Sequence, residues 1–168
     1  MPKDSLLTAA GPSEISVQTD RGLTTALLVA MTGEAQRALC DRPSVRIIVL
    51  PFRVGRETRL PAGASKITSL VERRFRKAPP LNDLYLMEPP SQVGFHISRE
   101  HFAIDRVDSG LVLIDRGSAC GTLVGDRAVG GDSKETQTAL HDGDLIVVGT
   151  SDSPYVFQLR LSGEEVSR

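Results

Sequence analysis

The second half of the chain is a succession of short apolar runs separated by turn residues. The runs are HFAIDRV (101–107), LVLID (111–115), DLIVVG (144–149) and YVFQLRL (155–161). Every second residue of the last run is apolar, as in a half-buried strand. Glycine-containing pairs at 109–110, 125–126, 130–131 and 142–143 mark turns. Strands this closely spaced, with no helix of crossover length between them, predict an antiparallel β-sandwich or barrel.

The first half predicts further strands and a connection. The β-branched run SVRIIVLPFRVG (44–55) favours a strand that Pro51 breaks or bends at a sheet edge. The run TTALLVAM (24–31) fits a strand or a buried helix equally by its periodicity. Residues 33–43 are expected to form a connection with at most a short helical turn, in which Cys40 is a small apolar filler.

Residues 57–95 are the least regular part, and we predict a long irregular or partly helical insertion there. Five prolines break the stretch: Pro61, Pro79, Pro80, Pro89 and Pro90. Ser65 is a candidate N-cap of a short helix, because apolar residues from Ile67 to Phe75 would share one face. That helix would project its basic residues outward: Arg73, Arg74, Arg76 and Lys77.

Length and apolar content allow one good core. The chain has 168 residues, 40% of them hydrophobic, so a second complete domain would leave each core small. We expect a single domain over residues 23–162, a flexible leader (1–22) and a loose tail (163–168). No run approaches the roughly 18 to 20 apolar residues that span a bilayer. The N-terminal residues lack a secretory signal and the two cysteines form no CxxC pair, so we expect a cytoplasmic protein without membrane attachment.

A cationic stretch stands out in a chain of net charge −1. Residues 53–77 hold eight Lys or Arg against two Glu, a local charge of +6 that leaves −7 for the rest. Proteins that coat nucleic acid usually have an overall basic balance, so the stretch favours one particular anionic site over nucleic-acid coating, and no nucleic-acid partner is expected. A solvated charged face is the alternative.

Four motifs occur in a fixed order: VGR (54–56), SREH (98–101), DRGSACGT (115–122) and LHDGDLIVVG (140–149). Each is weak alone, but together they resemble the forkhead-associated (FHA) domain family over residues 44–162. In that family a Gly-Arg after an early strand is followed by Ser-x-x-His, Asp-x-x-Ser-x-Asn-Gly-Thr and Gly-Asp. The resemblance implies an all-β, two-sheet antiparallel β-sandwich of FHA (SMAD/FHA-like) type.

The resemblance also implies a function, since FHA domains bind phosphothreonine peptides with loops at one end of the sandwich. Arg56 would pair with the phosphate, and Ser98 would donate its hydroxyl to another phosphate oxygen. A planar, permanently charged guanidinium suits a dianionic phosphate. Arg99 would reach the peptide backbone or add to the positive field. The partner would be a phosphothreonine-bearing protein, the substrate of a Ser/Thr kinase, and the chain a non-enzymatic signalling adaptor.

Five further residues would support that site. His101 would be architectural, its ring nitrogens joining the binding loops. Gly55 and Gly121 are interpreted as positions where a tight turn or a close approach forbids a side chain. Asp115 and Thr122 are expected to tie the intervening turn through side-chain hydrogen bonds to the backbone.

The site departs from the family pattern in two ways. Ala119 stands where the family often has Thr or Ser, and Cys120 where it usually has Asn. The hydroxyl helps to hold phosphate and the Asn holds peptide main chain, so the site is expected to be weaker, differently selective or independent of phosphate. Arg56 and Ser98 are also 42 residues apart, more than in the usual link. The four basic residues of the insertion would supply auxiliary phosphate contacts if they fold back over the site.

Other function classes find less support. A thiol enzyme would pair Cys120 with His101 and orient it with Asp115, but that needs an activated thiolate near its base, which the sequence does not indicate. The histidines and cysteines have no metal-ligand spacing and no nucleotide-binding glycine motif occurs, so neither metal nor cofactor is expected. The main alternative is a degenerate FHA-like module that binds a partner protein independently of phosphate. The oligomeric state stays open.

Overall fold

The computed structural model describes residues 24–58 and 80–163. In these ranges the chain forms eleven β-strands and one short helix, and no helix there is both long and apolar enough to cross a membrane. The elements are β1 (Thr24–Ala30), α1 (Gly33–Ala38), β2 (Ser44–Ile47), β3 (Phe52–Arg56), β4 (Leu84–Leu86), β5 (Phe102–Val107), β6 (Gly110–Asp115), β7 (Thr122–Val124), β8 (Arg127–Val129), β9 (Gln137–Leu140), β10 (Leu145–Val148) and β11 (Val156–Gly163).

The strands form two sheets, so the predicted two-sheet β-sandwich is confirmed. One sheet has the order β2-β1-β11-β10-β7-β8 and the other the order β4-β3-β5-β6-β9. All pairings are antiparallel except that of β3 with β4, where Val54 lies opposite Leu84 in a parallel register. The first strand pairs with the last, so both ends of the described chain lie side by side within the six-stranded sheet.

The ambiguous run at residues 24–31 is a strand. It pairs with both β2 and β11, and Leu28 lies opposite Val45 on one side and Leu159 on the other. The predicted helical turn follows it as α1, which begins at an N-cap where Thr32 Oγ1 accepts a hydrogen bond from the Ala35 amide at 3.1 Å. The backbone amides and carbonyls of β1 bond to strands on both sides. This pairing selects a strand over the buried helix that the periodicity allowed equally.

Strand β4 lies inside the stretch predicted to be irregular or partly helical. Its three residues are all buried, and the Arg53 guanidinium fixes its start to β3 by an ion pair with Asp83 at 2.9 Å. A three-residue strand carries too little periodicity to be recognised in a sequence. The short helix predicted from Ser65, and the basic residues at 73–77, lie outside the described residues.

The core lies between the two sheets and is mainly aliphatic. Large side chains from both sheets are fully buried there: Leu28, Phe102, Ile104, Leu113, Ile146, Phe157 and Leu159. Removing this apolar surface from water is the main favourable contribution to folding. The sandwich is therefore a rigid support for the loops at its ends.

Four chain segments meet at one end of the sandwich. Strand β3 ends there at Arg56, whose amide donates to the Ser98 carbonyl at 2.9 Å. Strand β5 begins beside the end of β6, because Phe102 pairs with Asp115. The start of β7 joins them, since the His101 ring just before β5 lies 2.8 Å from the Gly121 carbonyl oxygen. Residues of the first three motifs thus lie close together at this end of the sandwich.

Candidate functional site

A buried histidine ring joins two of these loops. His101 is fully buried, its Nδ1 lies 2.8 Å from the Ser98 amide nitrogen, and its Nε2 lies 2.8 Å from the Gly121 carbonyl oxygen. Because the backbone amide can only donate, Nδ1 accepts and the proton is assigned to Nε2, which donates to Gly121. The β4–β5 loop and the start of β7 are therefore held together by one neutral ring.

The loop between β6 and β7 is organised by Asp115. Its Oδ2 accepts hydrogen bonds from the amides of Gly117 at 2.8 Å and Ser118 at 3.2 Å, which is the local side-chain to backbone bonding that forms turns. The Ser118 hydroxyl donates to Asp115 Oδ1 and accepts from the Gly121 amide at 3.1 Å. Gly121 has φ +71, a conformation that favours glycine.

Thr122 does not take part in this bonding. Its Oγ1 is buried and has no hydrogen-bond partner in the part of the chain that the structure describes. The prediction that Thr122 ties the turn through its side chain is therefore wrong. Ser118 makes the bonds instead, because it lies directly between Asp115 and the Gly121 amide.

A second network lies under the loop that carries Arg99. The buried Asn82 side chain donates to the Arg99 carbonyl at 2.8 Å and accepts from the Arg116 guanidinium at 2.6 Å. A Cβ atom on Gly55 would lie 2.0 Å from the same Arg99 carbonyl oxygen. Strand β3 and this loop are thus too close for any side chain at position 55.

Arg56 is held from two directions at the end of β3. Its Nε donates to the Ile97 carbonyl at 2.8 Å, and its guanidinium carbon lies 3.6 Å from the centre of the Phe95 ring. That distance is a close cation–π contact. No ion pair joins Arg56 to a carboxylate among residues 24–58 and 80–163.

The Ser98 hydroxyl faces the neighbouring loop. Its Oγ accepts a hydrogen bond from the Ala119 amide at 3.0 Å. A hydroxyl can accept and donate at once, so Ser98 retains its own O–H for another acceptor.

Arg56, Ser98, Arg99 and Ala119 line one open pocket of about 510 Å³, together with Leu81, Glu100, Arg116 and Gly117. Four of the five predicted contact residues are therefore brought together. Cys120 is not among the lining residues; its Sγ lies 3.7 Å from the Phe95 carbonyl oxygen. Three arginines face one carboxylate in this pocket, and Glu100 already pairs with Arg116 at 2.9 Å. The pocket is cationic.

Sequence reasoning missed several residues that shape the site. Phe95, Asn82 and Glu88 lie in the proline-rich stretch and belong to none of the four motifs. Arg116 lies inside the DRGSACGT motif, so a signal for it exists in the sequence. Its partner Asn82 is 34 residues away and leaves no such signal. The basic residues Arg73, Arg74, Arg76 and Lys77 lie outside the described residues. Among those described, no group of three or more His, Cys, Asp or Glu side chains is placed to hold a metal ion.

The chain is thus a two-sheet sandwich that carries a cationic pocket on the loops at one end. The family model of the FHA domain matches residues 76–149, so the resemblance predicted from the four motifs is confirmed. FHA domains are binding modules. A comparison with curated proteins gives no match.

Three solved structures illustrate the likeness. The yeast Pml1 splicing factor is 17% identical with a TM-score of 0.51, over 95% of this chain and 100% of that one, and it shows the fold. Mycobacterium tuberculosis EmbR, in complex with a low-affinity phosphopeptide, is 17% identical with a TM-score of 0.49 over 85% of this chain and 26% of that one. An FHA domain from Arabidopsis thaliana is 19% identical with a TM-score of 0.48, over 96% of this chain and 98% of that one. This chain thus spans about a quarter of the EmbR chain.

The Gly55→Ala variant tests the close approach beneath the pocket. The new methyl group would meet a backbone carbonyl, which cannot move aside as a flexible side chain can. We expect the free energy of unfolding in urea to fall by more than about 2 kcal/mol. Gly33→Ala is the matched control, because its Cβ would lie 3.4 Å from the flexible end of Arg37. Equal stability of the two variants would contradict the described packing.

The charge state of His101 gives a pH prediction. Burial lowers its pKa below the usual 6.5, against smaller opposite effects of the Gly121 hydrogen bond and of Asp115. Between the lowered pKa and about 6.5, the unfolded chain binds a proton at this histidine and the folded chain does not. The free energy of unfolding therefore falls as the pH falls through that range. We expect the His101 ring signals in NMR spectra to keep their neutral shifts below pH 6.5. A midpoint at or above 6.5 would refute this account.

Proposed function

We propose that the pocket binds a phosphothreonine-containing segment of a partner protein. The observation that carries the proposal is the convergence of Arg56 and Ser98, from different parts of the fold, on one pocket. An anionic group in it would meet the guanidinium on one side and the hydroxyl on the other. The family match over residues 76–149 supports the same class of ligand.

The hydrogen bond that Arg56 already makes determines which of its nitrogens can contact a phosphate. Since its Nε is engaged by the Ile97 carbonyl, the side edge of the guanidinium is in use, and the two terminal nitrogens form the fork that remains. A phosphate accepts such a fork through two oxygens, and charge-assisted bonds of this kind contribute about 1.5 to 3 kcal/mol each. We therefore expect an end-on, bidentate contact.

The charges of the pocket favour a phosphate over a neutral group. Arg99 is exposed beside Arg56, and the carboxylate of Glu100 is compensated by Arg116. Two cations without a paired acid among the described residues suit the roughly −2 charge of a phosphoryl group. A short peptide held this way would bind at about micromolar affinity.

This chemistry supports the role of a cytoplasmic signalling adaptor that recognises the output of a Ser/Thr kinase. The ligand would be the product of phosphoryl transfer to a threonine. The pocket would bind that product and leave it unchanged, as expected of a module without enzymatic activity.

A second candidate is a module that binds its partner without phosphate. It is favoured by Ala119, whose methyl group lines the pocket where a hydroxyl would add a phosphate contact, and by Cys120, which does not line the pocket. Binding would then depend on shape and apolar contact, for which Leu81 is available at the pocket rim.

Calorimetry with one peptide in phosphorylated and plain forms distinguishes the two candidates. The peptide would be the strongest binder from a degenerate phosphothreonine library. We expect Arg56→Ala to weaken binding of the phosphorylated form at least tenfold, since two charge-assisted bonds are lost. Arg106→Ala removes an exposed arginine from β5 outside the pocket lining and should leave affinity unchanged. Equal binding of both peptide forms would favour the second candidate.

The Ala119→Thr variant tests the effect of the missing hydroxyl. Position 119 is exposed beside Ser98, so the added group can reach the same anion without disturbing the core. We expect affinity for the phosphorylated peptide to rise about threefold to tenfold, the effect of one additional hydrogen bond. Ala128→Thr, on an exposed position of β8, is the control. A fall in affinity at position 119 would show that the pocket needs the smaller side chain.

A further inference from the structure

We propose that Phe95 is a positioning residue for Arg56, holding the guanidinium so that its terminal nitrogens face the pocket. The inference rests on the proposed phosphate contact of Arg56. It assigns a role to a residue that lies outside the four sequence motifs. Phe95 would not touch the phosphate itself.

The geometry separates the two uses of the guanidinium. Phe95 covers a face of the group, with the central carbon 3.6 Å from the ring centre. Hydrogen bonds to a phosphate lie in the guanidinium plane and use its edge. Stacking and phosphate binding therefore occupy different parts of Arg56 and can exist together.

The loop that carries Phe95 also restrains the Arg56 guanidinium through a hydrogen bond. Ile97, two residues after Phe95, accepts the hydrogen bond from Arg56 Nε at 2.8 Å. One contact restrains the plane of the group and the other restrains its rotation within that plane. Only the terminal edge of Arg56 is left to turn towards the ligand.

Glu88 anchors this loop to the fold. Its side chain is only 2% exposed, and its two oxygens accept hydrogen bonds from the amides of His96 at 2.7 Å and Ile97 at 2.8 Å. The His96 Nδ1 also lies 3.1 Å from one of these oxygens. Phe95 and Ile97 thus belong to a segment whose backbone is held before any ligand arrives, which reduces the entropy lost on binding.

The exposure of Phe95 indicates that its role is not core packing. The residue is 41% exposed and does not belong to the buried cluster between the sheets. The contact that the structure gives this exposed ring is with the guanidinium of Arg56. Replacement of Phe95 should therefore leave the sandwich folded.

The experiment compares Phe95→Leu, which keeps apolar bulk without a π face, with Phe95→Tyr, which keeps the face. O-Phospho-L-threonine is titrated into each full-length protein while the Arg56 Nε–Hε signal is followed by NMR. We expect the Leu variant to bind about threefold to tenfold more weakly and the Tyr variant to match the wild type. The ring-current shift of the Arg56 side-chain protons should be present with Phe or Tyr and lost with Leu.

Val93→Ala is the matched control, since Val93 lies in the same loop and is 87% exposed. Unchanged or tighter binding by Phe95→Leu would overturn the positioning role, as would a weakened Tyr variant, which would indicate general damage to the loop. Arg56→Ala separates the two proposals. If that variant binds phosphothreonine as well as the wild type does, the proposed function fails; if it does not bind and Phe95→Leu is normal, only the role of Phe95 fails.

Discussion

The binding end of this protein depends on one buried, neutral imidazole. His101 accepts from the Ser98 amide and donates to the Gly121 carbonyl, so two neighbouring loops share a single ring. Burial lowers the pKa of His101, which keeps the ring in the form that can both accept and donate. Without it, the Ser98 amide would lose its acceptor and the Gly121 carbonyl would keep only the donor from Gly149, and a lost hydrogen bond of this kind is costly.

The pocket is built outward from that ring by segments that are distant in sequence. Strand β3 supplies Arg56, the β4–β5 loop supplies Ser98, and the β6–β7 loop supplies the amide of Ala119 that meets the Ser98 hydroxyl. Side chains fix both loops: Glu88 and Asn82 bond to the backbone of the β4–β5 loop, and Asp115 bonds to that of the β6–β7 loop. A rigid sandwich with loops restrained in this way presents polar groups in defined positions, as the proposed recognition of a phosphate would require.

The sequence predicted the sandwich and most of the pocket, because both leave local signals. Alternating apolar residues define strands, and the order of the four motifs identified Arg56, Ser98 and His101 before any contact was known. It missed strand β4, which is too short to show a period, and it assigned to Thr122 a bond that Ser118 makes. The peptide contact predicted for Cys120 stays a prediction, and its Sγ lies 3.7 Å from the Phe95 carbonyl oxygen.

By itself, the sequence determined the class of fold and the chemical types at the site: a guanidinium, a hydroxyl, a structural imidazole, and no hydroxyl at Ala119. Only the tertiary structure decided how these groups are held. The stacking of Phe95 on Arg56 spans 39 positions of the chain, and the Asn82 to Arg116 bond spans 34. Periodicity and motif spacing report on neighbours along the chain, whereas such contacts arise only when separate strands and loops are packed together. The motif identifies Arg56, but the direction of its free edge is a property of the fold.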